Sequence, residues 1–486
     1  MNWPEFFQRE DFHAIVPQLE LTLFACGILM LDFWLERRQK YLNAVAALMG
    51  IGFSGFALWQ MYGRGEATLA FRGLIVTDSF FLFFSGVFLL AAALVVLMSI
   101  RYLEVEEEHG GEYYALILFA TVGMMFLASG VDLITLFIGL ELMAISFYLL
   151  TGYLRRDRRS TEAALKYFLL GVFSTGLLAY GFSLLYGVSG STSIYRVGDA
   201  VAQRGLNDPV VFLAMVTVAA GVFFKVAAVP FHQWAPDAYE GAPTPITAFI
   251  SVGSKAASFA LLLRLFLIPI APLREHWVLL LAVVAVATMT LGNLAAINQT
   301  NIKRLLAYSS IGHVGYILLG LVAGNETGRT GIAVYIFAYA AMTLGAFAVV
   351  TAMRRTDLIG DNIDDMRGLM GKNPGAAVLM LIFLLSLTGI PPTVGFLGKY
   401  YIFLSLIQTE HYYLAVFAAL YVVVALYYYF RVVVAMFLQP EREPGRMLLA
   451  PGLVAALVVS IVLTLAPGIY PEPLIRLAQF SMMPFR

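Results

Sequence analysis

Apolar runs of about 20 residues recur along the whole chain and constrain its fold more than any other feature. A helix needs about this length to cross the hydrocarbon core of a bilayer, and it pairs all of its own backbone polar groups. Only 13% of the 486 residues are charged, whereas about a quarter are charged in soluble proteins. Strands of a transmembrane barrel would alternate apolar and polar residues, and these runs do not. The sequence therefore predicts an all-α polytopic membrane protein.

The runs predict about 14 membrane-spanning helices in a single membrane domain. The predicted spans are 14–34, 41–62, 78–100, 113–129, 131–153, 161–187, 210–229, 243–268, 276–297, 302–323, 331–353, 374–408, 411–438 and 447–467. Pro230 is expected to break the seventh span, and Pro391 with Pro392 the twelfth, because proline removes a helical hydrogen bond and clashes with the preceding turn. Cys26 lies within an apolar run and is expected to be a small core residue.

Lysine and arginine in the connections predict the orientation. Nine such residues fall on the side of the N-terminus and sixteen on the other side. The positive-inside rule places the side with more cations in the cytoplasm. Both termini are therefore expected on the outer side of the membrane.

Charged residues inside the spans are the first candidates for function. Six cations fall there: Lys166, Lys225, Lys255, Arg264, Lys399 and Arg431. Each costs roughly 2.5 to 3.5 kcal/mol at the bilayer centre, so such residues by default mark a path for ions or substrate. Glu141 lies nine residues beyond the expected helix cap Asp132, about 13 Å along the helix, which is near mid-membrane. A carboxylate there needs a cation, and Lys166 and Lys225 are the candidates.

Two interpretations of the predicted pair stay open. A structural ion pair would hold helices together, whereas a switchable pair would let Lys225 release its proton as Glu141 changes partner. Lysine suits the second role because burial can bring its titration towards physiological pH, which arginine cannot match.

Further candidates follow in the second half of the chain. Lys255 is expected at mid-depth near Ser251, Ser254 and Ser258, and Lys399 follows the second proline break. His313, in the tenth span, is either a satisfied structural donor or a proton carrier, and Arg431 either a cytoplasmic exit or an anchor. Relays of acids, histidines and lysines are what proton transporters use. Arg264, near the outer end of its span, is expected to extend to the interface.

The spacing of these residues indicates an internal repeat. Three pairs fall on spans five apart: Glu141 and His313, separated by 172 residues, Lys225 and Lys399, by 174, and Lys255 and Arg431, by 176. Units with an odd number of crossings must lie inverted, and inverted repeats with matching broken helices point to a transport site. Chance spacing is the alternative. The predicted divisions are three N-terminal helices over 1–110, repeats over 111–270 and 271–440, and a C-terminal helix and tail over 441–486.

Five segments together resemble the antiporter-like membrane subunits of respiratory complex I. They are LITLFIGLELMAISFYLLTGY around Glu141, AALKYFLLG around Lys166, FFKVAAVPFHQWAPDAYEGAPTPITAFISVGSKAA, AYSSIGHVGYILLG and LTGIPPTVGFLGKY. The resemblance covers residues 78–440 and is shared largely with subunits of multi-subunit cation/proton antiporters. It implies a proton-translocating subunit of NADH:quinone oxidoreductase in the bacterial plasma membrane, with both termini periplasmic.

The resemblance also implies roles and partners. Glu141 and Lys225 would be the energised pair, Lys255 the central relay, and Lys399 the gate of one side. NADH, flavin, iron–sulfur clusters and quinone would belong to partner subunits, with no cofactor, metal or redox catalysis on this chain. Its partners would be other membrane-arm subunits, lipid, protons and internal water, and no nucleic acid. A sodium/proton antiporter subunit and a non-transporting scaffold are the alternatives.

Overall fold

The computed structural model of the chain describes residues 9–63, 67–108, 110–354, 360–441 and 449–485. Thirteen helices of this described part are long and apolar enough to cross a membrane. The remaining predicted span, the twelfth, is divided into two shorter apolar helices. The prediction of about 14 spans is therefore confirmed. Five of the arginines that were counted to predict the orientation lie outside the described residues: Arg64, Arg355, Arg442, Arg446 and Arg486.

The N-terminal region contains three spans and a small hairpin. Its elements are α1 Arg9–Asp32, α2 Tyr41–Tyr62, β1 Thr68–Ala70, β2 Ile75–Thr77 and α3 Ser79–Val105. The two strands pair antiparallel, with Leu69 opposite Val76. The Phe71 amide donates to Asp11 Oδ1 of α1 at 2.5 Å, which holds the hairpin against that helix. Three residues per strand are too few to show an alternating pattern, so the sequence did not predict the hairpin.

The next elements include the first broken span. They are α4 Gly111–Ser129, α5 Leu133–Thr151, α6 Arg158–Ser189, α7 Ile194–Arg204, α8 Pro209–Val226, α9 Trp234–Gly241, α10 Thr244–Phe249, a π-helical segment Ile250–Ser254 and α11 Lys255–Leu267. Asp132 accepts hydrogen bonds from the amides of Ile134 and Thr135, so its predicted role as a helix cap is confirmed. The break begins three residues earlier than predicted, because α8 ends at Val226 and Ala227 adopts a left-handed conformation.

The second half of the chain contains the other broken span. Its elements are α12 Arg274–Ile297, α13 Ile302–Ala323, α14 Glu326–Met353, α15 Leu369–Lys372, α16 Pro374–Thr388, α17 Val394–Gln408, α18 Tyr412–Leu438, α19 Pro451–Ile469 and α20 Glu472–Ser481. The predicted break at Pro391 and Pro392 is confirmed, since α16 and α17 are separate helices. Gly389 ends α16 with φ 92°, a left-handed conformation that glycine adopts without steric cost.

Burial separates central from peripheral spans. All residues in the most apolar window of the span Thr244–Leu267 are buried, as are 94% in α13 and α14. In α18 the corresponding share is 22%, which leaves most of that helix facing outward. The charged candidates Lys255 and His313 therefore lie on the most enclosed helices of the molecule.

Two side chains do not behave as predicted. Cys26 is exposed on α1, so the prediction of a core residue is wrong. Arg264 is only 1% exposed and does not extend to the interface. Its guanidinium donates to Asp78 Oδ2 at 2.8 Å and to the Ala128 carbonyl at 2.8 and 3.1 Å, and it lies over the Phe80 ring. Since these partners satisfy the charge inside the protein, Arg264 needs no contact with water.

Candidate functional site

Glu141 is half-buried on α5, in line with the exposed side chains Ile138 and Ile145. Its Oε1 atom is buried without a hydrogen-bond partner among the described residues. Neither Lys166 nor Lys225 lies within ion-pair distance of it in this part of the chain, so the predicted direct pair is not formed in this structure. Glu141 is nevertheless the charged group that acts on the Lys225 ammonium.

Tyr148 occupies the space beside Lys225. The Lys225 ammonium, buried in the last turn of α8, lies 3.5 Å from Tyr148 Oη, and its Nζ is 6.0 Å from the centre of the tyrosine ring. Tyr148 follows Glu141 by seven residues, two turns of α5, which puts both on one helix face. Tyr148 was not among the residues predicted from the sequence, although its spacing from Glu141 is a signal that the sequence contains.

Lys166 has other partners than the predicted one. Its Nζ lies 2.9 Å from Glu162 and 3.1 Å from Asp237, and its side chain is 47% exposed. The prediction that Lys166 is a partner of Glu141 is therefore wrong for this structure. The reason is that the carboxylates of its own helix and of α9 compete for it at the protein surface.

Lys166 belongs to a charged cluster that consists of Glu162, Lys166, Asp237, Glu240 and Arg304. The Arg304 guanidinium of α13 donates to Asp237 at 2.7 Å and to Glu240 at 3.0 Å. The cluster therefore ties α9, which follows the first break, to both α6 and α13. Four of its members line a surface cavity of about 160 Å³ together with Arg159. Asp237 and Glu240 are ion-pair partners on the short helix α9.

Lys255 follows the π-helical segment and is 3% exposed. Its Nζ donates to Ser310 Oγ on α13 and lies 5.8 Å from the centre of the Tyr239 ring. No carboxylate of the described residues lies within ion-pair distance of it. Single π-helical turns occur frequently at functional sites. Of the nearby serines predicted, Ser251 is bonded to Tyr339 at 2.7 Å.

His313 is 4% exposed, and both of its ring nitrogens have tyrosine partners. Nδ1 lies 2.7 Å from Tyr335 Oη, and Nε2 lies 3.3 Å from Tyr429 Oη. A third tyrosine, Tyr339, lies with its ring centre 5.3 Å from that of the histidine. This arrangement satisfies His313 as a structural donor, and it also offers hydroxyl groups that can pass a proton to either nitrogen. The three tyrosines were not predicted from the sequence.

Lys399 lies in the second turn of α17 and is buried. Its Nζ donates to the carbonyl oxygens of Leu387 and Thr388 at 3.1 and 2.7 Å, and it lies over the Tyr316 ring at 4.9 Å. The carbonyl groups belong to the last turn of α16, where unpaired carbonyls and the helix dipole favour a cation. The proline break therefore places an acceptor site beside this lysine.

Arg431, a residue of α18, lies against the end of α12. Its guanidinium donates to the carbonyl oxygens of Ile297, at 2.6 Å, and Gln299. The same residue lines an open cavity of about 450 Å³ with Asn362, Asp364 and other residues of α18 and the turn before α15. Arg431 thus anchors a helix end, as one of its two predicted roles required, and also borders a polar cavity.

The geometry of the buried bases suits proton transfer. Among the described buried bases, Lys225, Lys255, Lys399 and His313 have hydroxyl or carbonyl partners, whereas Lys303 also has the Asp361 carboxylate at 3.7 Å. Across the described ranges, no group of three or more His, Cys, Asp or Glu side chains is placed to hold a metal ion. Groups that can hold and release protons, joined by hydroxyls in a buried region, match the proton relays of transporters.

Comparison with known proteins agrees with this chemistry. A family model described as NADH:quinone oxidoreductase/Mrp antiporter, TM, matches residues 129–425. The chain is 56% identical to NADH-quinone oxidoreductase subunit N 2 of Solibacter usitatus, with 98% of each chain covered. It is 43% identical to NADH-quinone oxidoreductase subunit N of Trichlorobacter lovleyi, with 99% of this chain and 98% of the relative covered.

Solved structures are similar over nearly the whole length. A chain of respiratory complex I from Thermus thermophilus with bound aureothin is 32% identical, with a TM-score of 0.80, and 96% of this chain and 100% of that chain are covered. A chain of the Mrp complex from Dietzia sp. has a TM-score of 0.83 at 22% identity, with 96% and 97% covered. At 22% identity, the similarity to the Mrp complex chain shows a shared fold and nothing more.

Proposed function

The chain belongs to the NADH:quinone oxidoreductase/Mrp antiporter membrane family, and from this premise we propose how its own residues move protons. It is a proton-translocating membrane subunit of NADH:quinone oxidoreductase, most similar to subunit N. Its partners are other subunits of that complex. NADH, flavin, iron–sulfur clusters and quinone are held by those partners, and the redox reaction there drives proton movement here.

The proton path runs through Glu141, Lys225, Lys255, His313 and Lys399. The partners of the four buried bases support this proposal above all. Each base is bonded to a hydroxyl or carbonyl group, and none has a carboxylate within ion-pair distance in the described part of the chain. A buried base in a tight ion pair keeps its proton, whereas one without a permanent counter-ion can exist in both protonation states.

Glu141 acts as the switch of this path. Among the described residues its buried Oε1 atom has no hydrogen-bond partner, and Tyr148, two turns further along α5, lies 3.5 Å from the Lys225 ammonium. When Glu141 approaches, its negative charge favours the protonated form of Lys225, and when it withdraws, the ammonium gives its proton up. Lys166 is part of the charged cluster at the surface, from which protons and internal water reach the path.

The two five-helix units over 111–270 and 271–440 are inverted repeats, flanked by regions 1–110 and 441–486. Two observations support this part of the proposal. The broken spans α8–α9 and α16–α17 occupy the same place in each unit. In each unit the first two helices pack closely together, α4 with α5 and α12 with α13, and the third helix packs against both parts of the broken span, α6 against α8 and α9 and α14 against α16 and α17. Both termini lie on the periplasmic side of the bacterial plasma membrane.

The test replaces the proposed switch in the complete complex. Glu141→Ala and Lys225→Ala, each in membrane vesicles, are expected to lower NADH-driven proton pumping about tenfold or more, since loss of a proton-transfer group typically has at least that effect. The amount of assembled complex is measured alongside. Normal pumping in both variants would contradict the proposed path. The alternative of a sodium/proton antiporter subunit would require sodium-dependent proton movement without NADH.

A further inference from the structure

Four hydroxyl groups form a hydrogen-bonded cluster, and the ammonium of Lys255 joins it through Ser310. This hydroxyl junction consists of Tyr239, Ser251, Ser310 and Tyr339. Ser310 Oγ accepts a hydrogen bond from Lys255 and one from Tyr339 at 2.7 Å, and it lies 3.4 Å from Tyr239 Oη. Tyr339 is also bonded to Ser251 at 2.7 Å. The four residues come from α9, the π-helical segment, α13 and α14, so the junction joins both halves of the chain.

Ser310 is the residue on which Lys255 depends. It is 1% exposed, and it supplies the hydrogen-bond acceptor of the Lys255 ammonium. A buried ammonium is strongly disfavoured without an acceptor, and a hydrogen bond from a charged group is about twice as strong as one between neutral groups. With no carboxylate of the described residues in ion-pair distance, the hydroxyl of Ser310 is the main polar contact that favours the protonated form.

Tyr339 links Ser310 to His313. Its hydroxyl donates to Ser310, and its ring lies 5.3 Å from the imidazole, centre to centre. Ser310 itself precedes His313 by three residues on α13, which places both on one face of the helix. The junction therefore lies between Lys255 and His313.

We propose that Ser310, oriented by Tyr339, is a positioning residue that holds the proton-carrying ammonium of Lys255 at the boundary between the two halves of the proton path. This inference rests on the proposed function of Lys255. When Lys255 is protonated, Ser310 accepts its hydrogen bond, and when Lys255 has given up its proton, the hydroxyl can turn to donate to the neutral amine. A serine hydroxyl can serve both states because it is donor and acceptor.

Other titratable groups lie on the elements packed around this stretch. They include Tyr102 on α3, Tyr113 on α4, Glu141 and Tyr148 on α5, Tyr167 on α6, Lys225 on α8, Tyr239 on α9, His313 on α13, and Tyr335 and Tyr339 on α14. Of these, Tyr239 and Tyr339 contact Ser310, and Tyr239 also faces the Lys255 ammonium. A substitution of Ser310 should therefore alter the protonation of Lys255 more than that of any other group in this set.

The experiment measures the pH profile of NADH-driven proton pumping in vesicles that contain the complete complex. Ser310→Ala is expected to move the alkaline limb to lower pH by about one unit, because the ammonium loses a charge-assisted hydrogen bond. Ser310→Thr retains the hydroxyl and should restore the original profile. Tyr339→Phe removes the donor that orients Ser310 and should give a smaller shift in the same direction.

Ser258→Ala is the matched control, since Ser258 is buried like Ser310, lies one turn after Lys255 and, within the described ranges, bonds the Ser254 carbonyl alone. An unshifted profile in Ser310→Ala, with Lys255→Ala inactive, would overturn this inference and leave the proposed path intact. Full pumping in Lys255→Ala would instead refute the proposed function. Equal shifts in Ser310→Ala and Ser258→Ala would reveal a packing effect and would also overturn the inference.

Discussion

Lys225 and Lys399 both lie beside a proline break, but their ammonium groups have different kinds of partners. Lys225 lies at the end of α8, 3.5 Å from Tyr148 Oη, with Glu141 as its charged neighbour. Lys399 lies after its break and donates to the carbonyl oxygens of Leu387 and Thr388 at the end of α16. One lysine depends on side chains from another helix, and the other depends on the backbone of its own broken span.

This difference indicates that the two halves of the chain have different roles in proton transfer. Backbone carbonyls at a helix end are fixed in place, and the helix dipole favours a cation there at all times. The Glu141 carboxylate can rotate about its side-chain bonds, and its effect on Lys225 changes with distance. The first half is therefore the one in which a movement can alter a proton affinity. The second half provides a site whose properties change little.

The largest difference is expected when each lysine is replaced by arginine. Lys225→Arg should lower NADH-driven proton pumping about tenfold or more, because arginine does not release its proton. Lys399→Arg also removes a titratable group of the proposed path, but it should lower pumping less, because a guanidinium can still donate to the two carbonyls of α16 and keeps the geometry of that site. Pumping rates per NADH oxidised in vesicles provide the measurement. Equal losses in the two variants would remove the proposed distinction.

A second prediction concerns the backbone site itself. Gly389→Ala places a Cβ atom 2.8 Å from Lys399 Cδ at a residue with φ 92°. It is expected to destabilise the complex by about 1 kcal/mol, since alanine is strained in that conformation, and to reduce pumping by displacing Lys399. Thermal unfolding and pumping of the purified complex are measured together. Gly86→Ala is the control, because an added Cβ there meets no atom within 4 Å.

The smallest effect is expected at the tyrosine of the first site. Tyr148→Phe removes the hydroxyl beside Lys225 but keeps the ring, so pumping should fall only about two- to fivefold through loss of one hydrogen bond. Tyr180→Phe, on the exposed side of α6, is the matched control. A loss as large as that of Lys225→Ala would instead assign the main proton-transfer role to Tyr148.

Much of the fold could be predicted because its signals are local. Hydropathy over about 20 residues predicted the spans, and the prolines predicted both breaks. The π-helical segment before Lys255 was missed, since it depends on how α10 and α11 fit against their neighbours rather than on any residue type. The predictions that Cys26 is buried and that Arg264 extends to the interface were wrong for a related reason. Composition shows that a helix lies in the membrane, but it does not show which face of the helix other helices cover.

The sequence by itself determined which groups lie inside the membrane, because an apolar run and its charges are read directly from the residues. Glu141, Lys225, Lys255, His313 and Lys399 were all identified in this way. Only the tertiary structure decided what these groups contact, since their partners come from distant parts of the chain. In the tertiary structure Lys166 forms an ion pair with Asp237 rather than with Glu141, and Lys255 donates a hydrogen bond to Ser310. Hydrogen bonds act over about 3 Å, and chain packing alone sets such distances.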